Sequence, residues 1–190
     1  MKQAGRALQL TIPAACFALA AVPLQAQWGE ESAPDHAWRR GAFTDAQLKE
    51  SSGVAVSRAY PGILWTVNDS GNGPWIFATD TTGRAVARIP LDARNRDWEA
   101  IALGPCPRGS CLYVGDIGDN GEGRKEIGIY RLVEPDPADS SLRRVEHLRV
   151  SYPDGAHDAE ALAVDLKGGV WLITKGRKDG VRVYRVPAAA

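Results

Sequence analysis

Short apolar runs that end in polar turns recur three times along the chain. Each unit opens with a short apolar segment, near Ser52, Glu99 and Glu160, and continues with a second apolar run that carries an aromatic residue. These aromatic residues are Trp65, Tyr113 and Trp171, which lie 48 and 58 residues apart. A repeat of about 50 residues is typical of arrays of similar β-units, such as the blades of a β-propeller.

Turn-forming residues divide each unit into short strands. The first unit predicts strands at 53–57, 63–68, 75–80 and 85–90, and the second at 99–103, 111–117, 127–133 and 144–151. The third unit predicts strands at 160–165, 170–174 and 181–186, without a fourth. The sequence therefore predicts an all-β protein, a β-propeller-type array of four-stranded blades at about 48–96, 97–157 and 158–190.

An array of about three blades raises the question of closure. A propeller closes as a ring, so three blades leave sheet edges and an apolar face uncovered. We therefore expect the chain to be a section of a longer ring. Completion of the ring by association is the alternative, and a small open array that is stable alone is a further one.

The first 26 residues differ in character from the rest. Lys2 and Arg6 precede an apolar, alanine-rich segment that ends in small residues, the pattern of a cleaved signal peptide. A membrane anchor and a lipoprotein site at Cys16 are the alternatives. Residues 27–47 are then a polar lead-in, and we expect a periplasmic or secreted protein with no stable membrane insertion.

The charge of the chain indicates which partners to expect, and its cysteine content indicates a disulfide. The formal net charge of the whole chain is zero, and removal of residues 1–26 leaves −2, so no nucleic-acid partner is expected. The same removal leaves Cys106 and Cys111 as a close pair, for which an oxidising compartment favours a disulfide. A redox or metal pair is the alternative.

The acids at matching positions of the units are the candidate metal ligands. Glu99 and Glu160 open channel-lining strands, and Asn68 and Asp116 end the strands that follow the openings of the first and second units. Oxygen ligands that converge from several blades favour the binding of calcium. Asp119 belongs to a polar turn that is a second candidate calcium site. Hydrogen bonding of each acid to backbone amides at a turn is the alternative.

One histidine is a candidate catalytic group. His157 stands beside Asp158, just before the third unit's first strand, where a neighbouring carboxylate can tune a general base. A solvated turn residue is the alternative for this histidine.

Two groups of segments resemble known propeller families. The segments ESSGVA at 50–55, NDSG at 68–71 and DAEALA at 158–163 resemble the bacterial family called esterase-like activity of phytase. The segments WEA at 98–100 and LYVGDI at 112–117 are similar in layout to the gluconolactonase and regucalcin group. The resemblance implies a six-bladed exported propeller, a calcium ion bound by Glu99, and hydrolysis of an ester, lactone or phosphoester.

Two functions therefore remain open from the sequence. In the first, the chain is an exported scaffold whose loops bind a small molecule or a protein, and its acids are structural. In the second, a channel-bound calcium acts as a Lewis acid, with Glu99, Asp116 and Glu160 near the ion and His157 as base.

Overall fold

The computed structural model describes residues 37–177 and 180–188. These residues form eleven β-strands and no helix. The strands are β1 Ser51–Val56, β2 Ile63–Asn68, β3 Trp75–Asp80, β4 Ala85–Pro90, β5 Trp98–Cys106, β6 Gly109–Asp116, β7 Ile127–Val133, β8 Glu146–Val150, β9 Ala159–Val164, β10 Val170–Thr174 and β11 Val183–Val186. The prediction of an all-β protein is confirmed.

The strands form three antiparallel sheets in chain order. The first sheet holds β1 to β4, the second β5 to β8 and the third β9 to β11, and each strand pairs with its neighbour in sequence. Tight turns make this simple order possible. Gly62 and Gly83, for example, adopt the positive φ values that such turns require, at 85° each.

A β-bulge recurs at the same point of all three sheets. In each sheet the register of the first strand shifts by one residue, so that Ser52, Glu99 and Glu160 are the extra residues. A bulge leaves its extra residue outside the ladder and re-aims its side chain. The residues that the sequence matched as unit openings are therefore equivalent in backbone geometry as well.

The three aromatic anchors are also equivalent. Trp65 lies opposite Ala55, Tyr113 opposite Ala102, and Trp171 opposite Ala163, always between the first and second strands of a sheet. The pairing of a small residue with a large one recurs because the two share one face of the sheet. This register shows that the three aromatics occupy equivalent positions, although Trp65 and Tyr113 are buried in the cores and Trp171 is 37% exposed.

Two apolar cores join the three sheets. The first core packs Trp65, Val67 and Ile76 of the first sheet against Trp98 and Leu112 of the second. The second core packs the other face of the second sheet against the third. Its members include Tyr113 and Ile129 from one side and Leu162 and Leu172 from the other. Strand β5 contacts both β1 and β9, so the three first strands are neighbours.

A disulfide closes the hairpin between β5 and β6. Cys106 and Cys111 are bonded, with their Cα atoms 5.8 Å apart, and Gly109 in the turn has a φ of 114°. The predicted pairing of these cysteines is confirmed.

Two sequence-based predictions fall wholly or partly on residues that the structure does not describe. The signal peptide at 1–26 and residues 27–36 of the lead-in at 27–47 lie outside the described residues. Among residues 37–177 and 180–188, no helix is long and apolar enough to span a bilayer. The division into blades at 48–96, 97–157 and 158–190 stays a prediction.

Candidate functional site

Three carboxylates meet where the first and second sheets adjoin. Glu99 is the bulged residue of β5, Asp97 directly precedes that strand, and Asp69 directly follows β2. One carboxylate oxygen from each residue lies within 4.8 Å of the other two. We call Asp69, Asp97 and Glu99 the acidic cluster.

The backbone at Gly118 leaves room for the acidic cluster. A Cβ atom at this position would lie 2.4 Å from Asp97 Oδ2 and 2.6 Å from Glu99 Oε1. The Gly118 N–H donates to the carbonyl oxygen of Asp97 at 3.1 Å, which holds this approach in place. A glycine is therefore required here for the two carboxylates to keep their positions.

Burial and neighbouring carboxylates raise the proton affinity of two members of the acidic cluster, Glu99 and Asp97. Burial, together with the charges of Glu160, Asp69 and Asp97, raises the pKa of Glu99 to about 7. The Ser52 hydroxyl, which donates to Glu99 Oε2 at 3.3 Å, opposes this shift only in part. Burial also raises the pKa of Asp97. Excess negative charge is thus concentrated at this point.

The charge of Arg124 opposes the rise in the pKa of Asp97, but Arg124 forms its ion pair with Asp116. Among the described residues, neither lysine nor arginine forms a salt bridge with Asp69, Asp97 or Glu99. Carboxylates in such proximity repel one another unless a cation or a proton lies between them.

The third sheet shows the opposite arrangement at equivalent positions. Glu160, the equivalent of Glu99, accepts a hydrogen bond from Lys175 Nζ at 2.5 Å. Asp158, the equivalent of Asp97, is paired with Arg177 Nε at 2.9 Å and accepts the Asp119 N–H at 2.8 Å. The same repeat positions are therefore neutralised in the third sheet and left without basic partners in the second.

The predicted ligand Asp116 has an internal partner. Its Oδ1 lies 3.1 Å from Arg124 Nη1 in a buried ion pair and also accepts the backbone N–H of Asp97 at 2.9 Å. The predicted ligand Asp119 accepts the backbone N–H of Arg124 at 2.6 Å. These contacts order the loop after β6, beside the acidic cluster.

Asn68 likewise stabilises a turn. Its side-chain oxygen accepts the backbone N–H groups of Lys49 and Glu50 at 3.0 and 3.1 Å, and its amide nitrogen donates to the Gln47 carbonyl at 2.6 Å. All three bonds fix the chain that leads into β1.

His157 is packed among aromatic rings. It is buried, its Nε2 lies 3.1 Å from Asp154 Oδ1, and its ring stacks on Tyr184 with centroids 5.4 Å apart. Tyr152 contacts the same ring edge-on, with centroids 5.2 Å apart. The role of His157 as a base stays a prediction.

Of the predicted metal ligands, only Glu99 belongs to the acidic cluster. The sequence analysis assigned neither Asp69 nor Asp97 as a ligand. The available signal was positional, since Asp97 stands two residues before the bulge and Asp69 follows the end of β2.

A further cavity in the described part of the chain lies away from the acidic cluster. It has a volume of about 590 Å³ and is lined by the segment after β7 and by the start of β8. Two of the arginines that line it are paired, Arg131 with Glu146 at 2.7 Å and Arg143 with Asp139 at 2.8 Å, and Arg108 and Arg144 line it as well.

Comparison with known proteins adds no assignment. No protein-family model matches the chain, and no curated protein matches it.

Proposed function

We propose that this chain is a section of an exported β-propeller that binds calcium at the acidic cluster and works as a scaffold for a ligand or partner. The observation that carries the calcium site is the convergence of three carboxylate oxygens within 4.8 Å, without a basic partner among the described residues. Calcium favours such oxygen ligands, and its charge offsets the repulsion among them.

The propeller part of the proposal is supported by the repeats. Three sheets of antiparallel neighbours carry the same bulge and the same aromatic pair, and their first strands adjoin one another. In a propeller the first strands line a central channel, and ligands from successive blades converge there. The acidic cluster takes its residues from two successive sheets, as such convergence requires.

The scaffold is favoured over a calcium-dependent hydrolase of an ester, lactone or phosphoester. A hydrolase needs a base that is free to take a proton from water. The base predicted from the sequence, His157, is buried between Tyr152 and Tyr184 and engages Asp154. The disulfide between Cys106 and Cys111 supports the exported location, since such bonds persist in oxidising compartments.

Calcium titration tests the proposed site. At a hundredfold excess over the dissociation constant, calcium should add about 2.7 kcal/mol to the free energy of unfolding. The variant Glu99→Gln should lose most of this gain, because it removes one anionic ligand. The variant Glu146→Gln is the matched control, since it removes the same charge from a half-exposed glutamate that pairs with Arg131 outside the acidic cluster.

The outcome is read from thermal melts and calorimetric titration in calcium and in chelator. If the unmutated protein melts at the same temperature in calcium and in chelator, the proposal of a calcium site is wrong. Hydrolysis of ester, lactone and phosphoester substrates, measured with and without calcium, tests the alternative. Turnover that requires calcium and Glu99 would favour the hydrolase over the scaffold.

A further inference from the structure

A cavity of about 280 Å³ lies between the loop that follows β6 and the segment that follows β8. Residues 122–125 line it from the first side, and Tyr152, Gly155 and Ala156 line it from the second. We call this space the loop cavity. Its volume is close to the lower end of the range for ligand pockets, so it has room for a small molecule.

Arg124, which lines the loop cavity, has one unused edge of its guanidinium. Its Nη1 is engaged within the protein, since it donates to Asp116 Oδ1 at 3.1 Å and to the Gly118 carbonyl oxygen at 2.7 Å. The side chain is only 8% exposed, yet within the described part of the chain neither Nε nor Nη2 has a hydrogen-bond partner. Nε and Nη2 form the planar edge that binds a carboxylate with two parallel hydrogen bonds.

Tyr152 supplies a second unused donor to the same cavity. Its hydroxyl oxygen is buried and has no hydrogen-bond partner among residues 37–177 and 180–188. The ring is held in place, because it lies edge-on to His157 with centroids 5.2 Å apart and against Tyr184 with centroids 4.7 Å apart. Burial raises the pKa of Tyr152 above its ordinary value, so the hydroxyl stays protonated and can donate.

Two donors without acceptors at one small cavity require a physical reason. Buried polar groups are nearly always hydrogen-bonded, and a buried donor without a partner lowers the free energy of unfolding. The two side chains come from different elements, Arg124 from the loop after β6 and Tyr152 from the segment after β8. We propose that the loop cavity binds a small ligand through a carboxylate group, with the carboxylate on the Nε–Nη2 edge of Arg124 and a hydrogen bond from Tyr152.

The charge around the loop cavity favours a carboxylate over a phosphate. Arg124 is already paired with the buried Asp116, and Glu122 lines the same cavity. Lys125 adds a further positive charge there. The cavity therefore has no large excess of positive charge, and a single negative charge is easier to accommodate than the two charges of a phosphate.

The loop cavity and the acidic cluster share one loop. Gly118, whose carbonyl accepts Arg124 Nη1, also donates its N–H to the Asp97 carbonyl oxygen at 3.1 Å. A small carboxylate is thus the ligand that the scaffold would hold beside its calcium site. This inference rests on the proposed scaffold role but not on calcium, so its experiment is run in calcium-free buffer. Carboxylate binding without any stabilisation by calcium would overturn the calcium site alone.

Titration of the purified full chain with propionate and with benzoate, followed in proton–nitrogen NMR spectra, tests the proposal. Both carboxylates should shift the Arg124 Nε–H resonance in a saturable way, and Arg124→Lys identifies this resonance by its loss. Propionamide, which has a similar shape without the charge, and inorganic phosphate should each bind roughly tenfold more weakly or less. The absence of a saturable shift, or an amide or phosphate that binds as tightly as propionate, would overturn the proposal.

Two tyrosine variants separate binding from folding. Tyr152→Phe removes a hydroxyl that has no partner in the free protein, so the melting temperature should be unchanged or higher, while the affinity for propionate falls by roughly tenfold. Tyr113→Phe is the matched control, because its hydroxyl donates to the Pro105 carbonyl oxygen at 2.6 Å, outside the loop cavity. This control should melt at a lower temperature and bind propionate as the unmutated protein does. Unaltered propionate affinity in Tyr152→Phe would contradict the role of Tyr152 and overturn the proposal.

Discussion

Two partly or fully buried glutamates, Glu134 and Glu99, differ in the groups that surround their carboxylates. Glu134, just after β7, is buried, and it accepts hydrogen bonds from Trp65 Nε1 at 2.9 Å, from Ser57 Oγ and from the Ala59 N–H. Glu99 is partly buried, receives one hydroxyl donor and faces other carboxylates. Burial is common to both, and the number of donors separates them.

The donors around Glu134 also explain how the first two sheets are held together. Glu134 belongs to the second sheet's side, whereas Ser57, Ala59 and Trp65 belong to the first. A carboxylate with several donors is stabilised in its charged form, even when buried. A carboxylate among other carboxylates depends on a proton or cation from outside. The first arrangement stabilises the fold, and the second favours binding.

Removal of the Glu134 carboxylate should have the largest effect. Glu134→Ala leaves the Trp65 and Ala59 N–H groups and the Ser57 hydroxyl without their acceptor, and we expect a loss of about 3 kcal/mol or more in the free energy of unfolding. Chemical denaturation measures this loss, which should be the same in calcium and in chelator.

Glu146→Ala is the matched control for that experiment. Glu146 is half exposed and pairs with Arg131, so its removal should cost about 1 kcal/mol or less. A Glu134→Ala protein that is as stable as this control would contradict the structural role.

Addition of a methyl group at Gly118 should weaken calcium binding at the acidic cluster. Gly118→Ala places a Cβ atom against the carboxylates of Asp97 and Glu99, so we expect calcium affinity to fall by about tenfold or more. Calorimetric titration measures the change.

The control is Gly121→Ala, in the same loop, where a Cβ atom would have no neighbour within 4 Å. Calcium affinity should be retained in this variant. An equal loss of calcium affinity in both variants would mean that the added methyl group disturbs the loop in general. It would contradict a specific clash at the acidic cluster.

Much of the fold follows from local sequence. The bounds of β2, β3, β4, β7 and β10 agree with the prediction, because turn residues flank each apolar run. The match of Ser52, Glu99 and Glu160 was also visible, because the bulge recurs at a constant offset from the apolar residues.

The site was less predictable, because it depends on which acids find partners. Asp116 and Arg124 are eight residues apart, and only the path of the loop brings them together. Lys175 lies beside Glu160 because of strand pairing, whereas the residue after the corresponding strand end in the first sheet is the acid Asp69. Repeat position alone therefore does not identify which acids are neutralised.

Of the predicted effects, the change of the free energy of unfolding with pH should be the smallest. It tests most directly the contrast between Glu99 and Glu134. The pKa of Glu99 in the folded chain is raised to about 7 from an ordinary 4.5. Because it is raised, its contribution to stability is fully present below pH 4.5 and is lost as the pH rises through 7. In chelator, the unmutated protein should therefore lose stability between about pH 5 and 8, on the order of 1 kcal/mol after allowance for solvent screening.

Glu99→Gln should flatten that part of the profile, because the amide does not titrate. In chelator at pH 8 this variant should be at least as stable as the unmutated protein, although it binds calcium less well. Thermal melts from pH 5 to 8 measure both effects, with Glu146→Gln as the control that keeps the unmutated slope. A Glu99→Gln profile parallel to the unmutated one would mean that Glu99 is already charged and compensated in the folded chain.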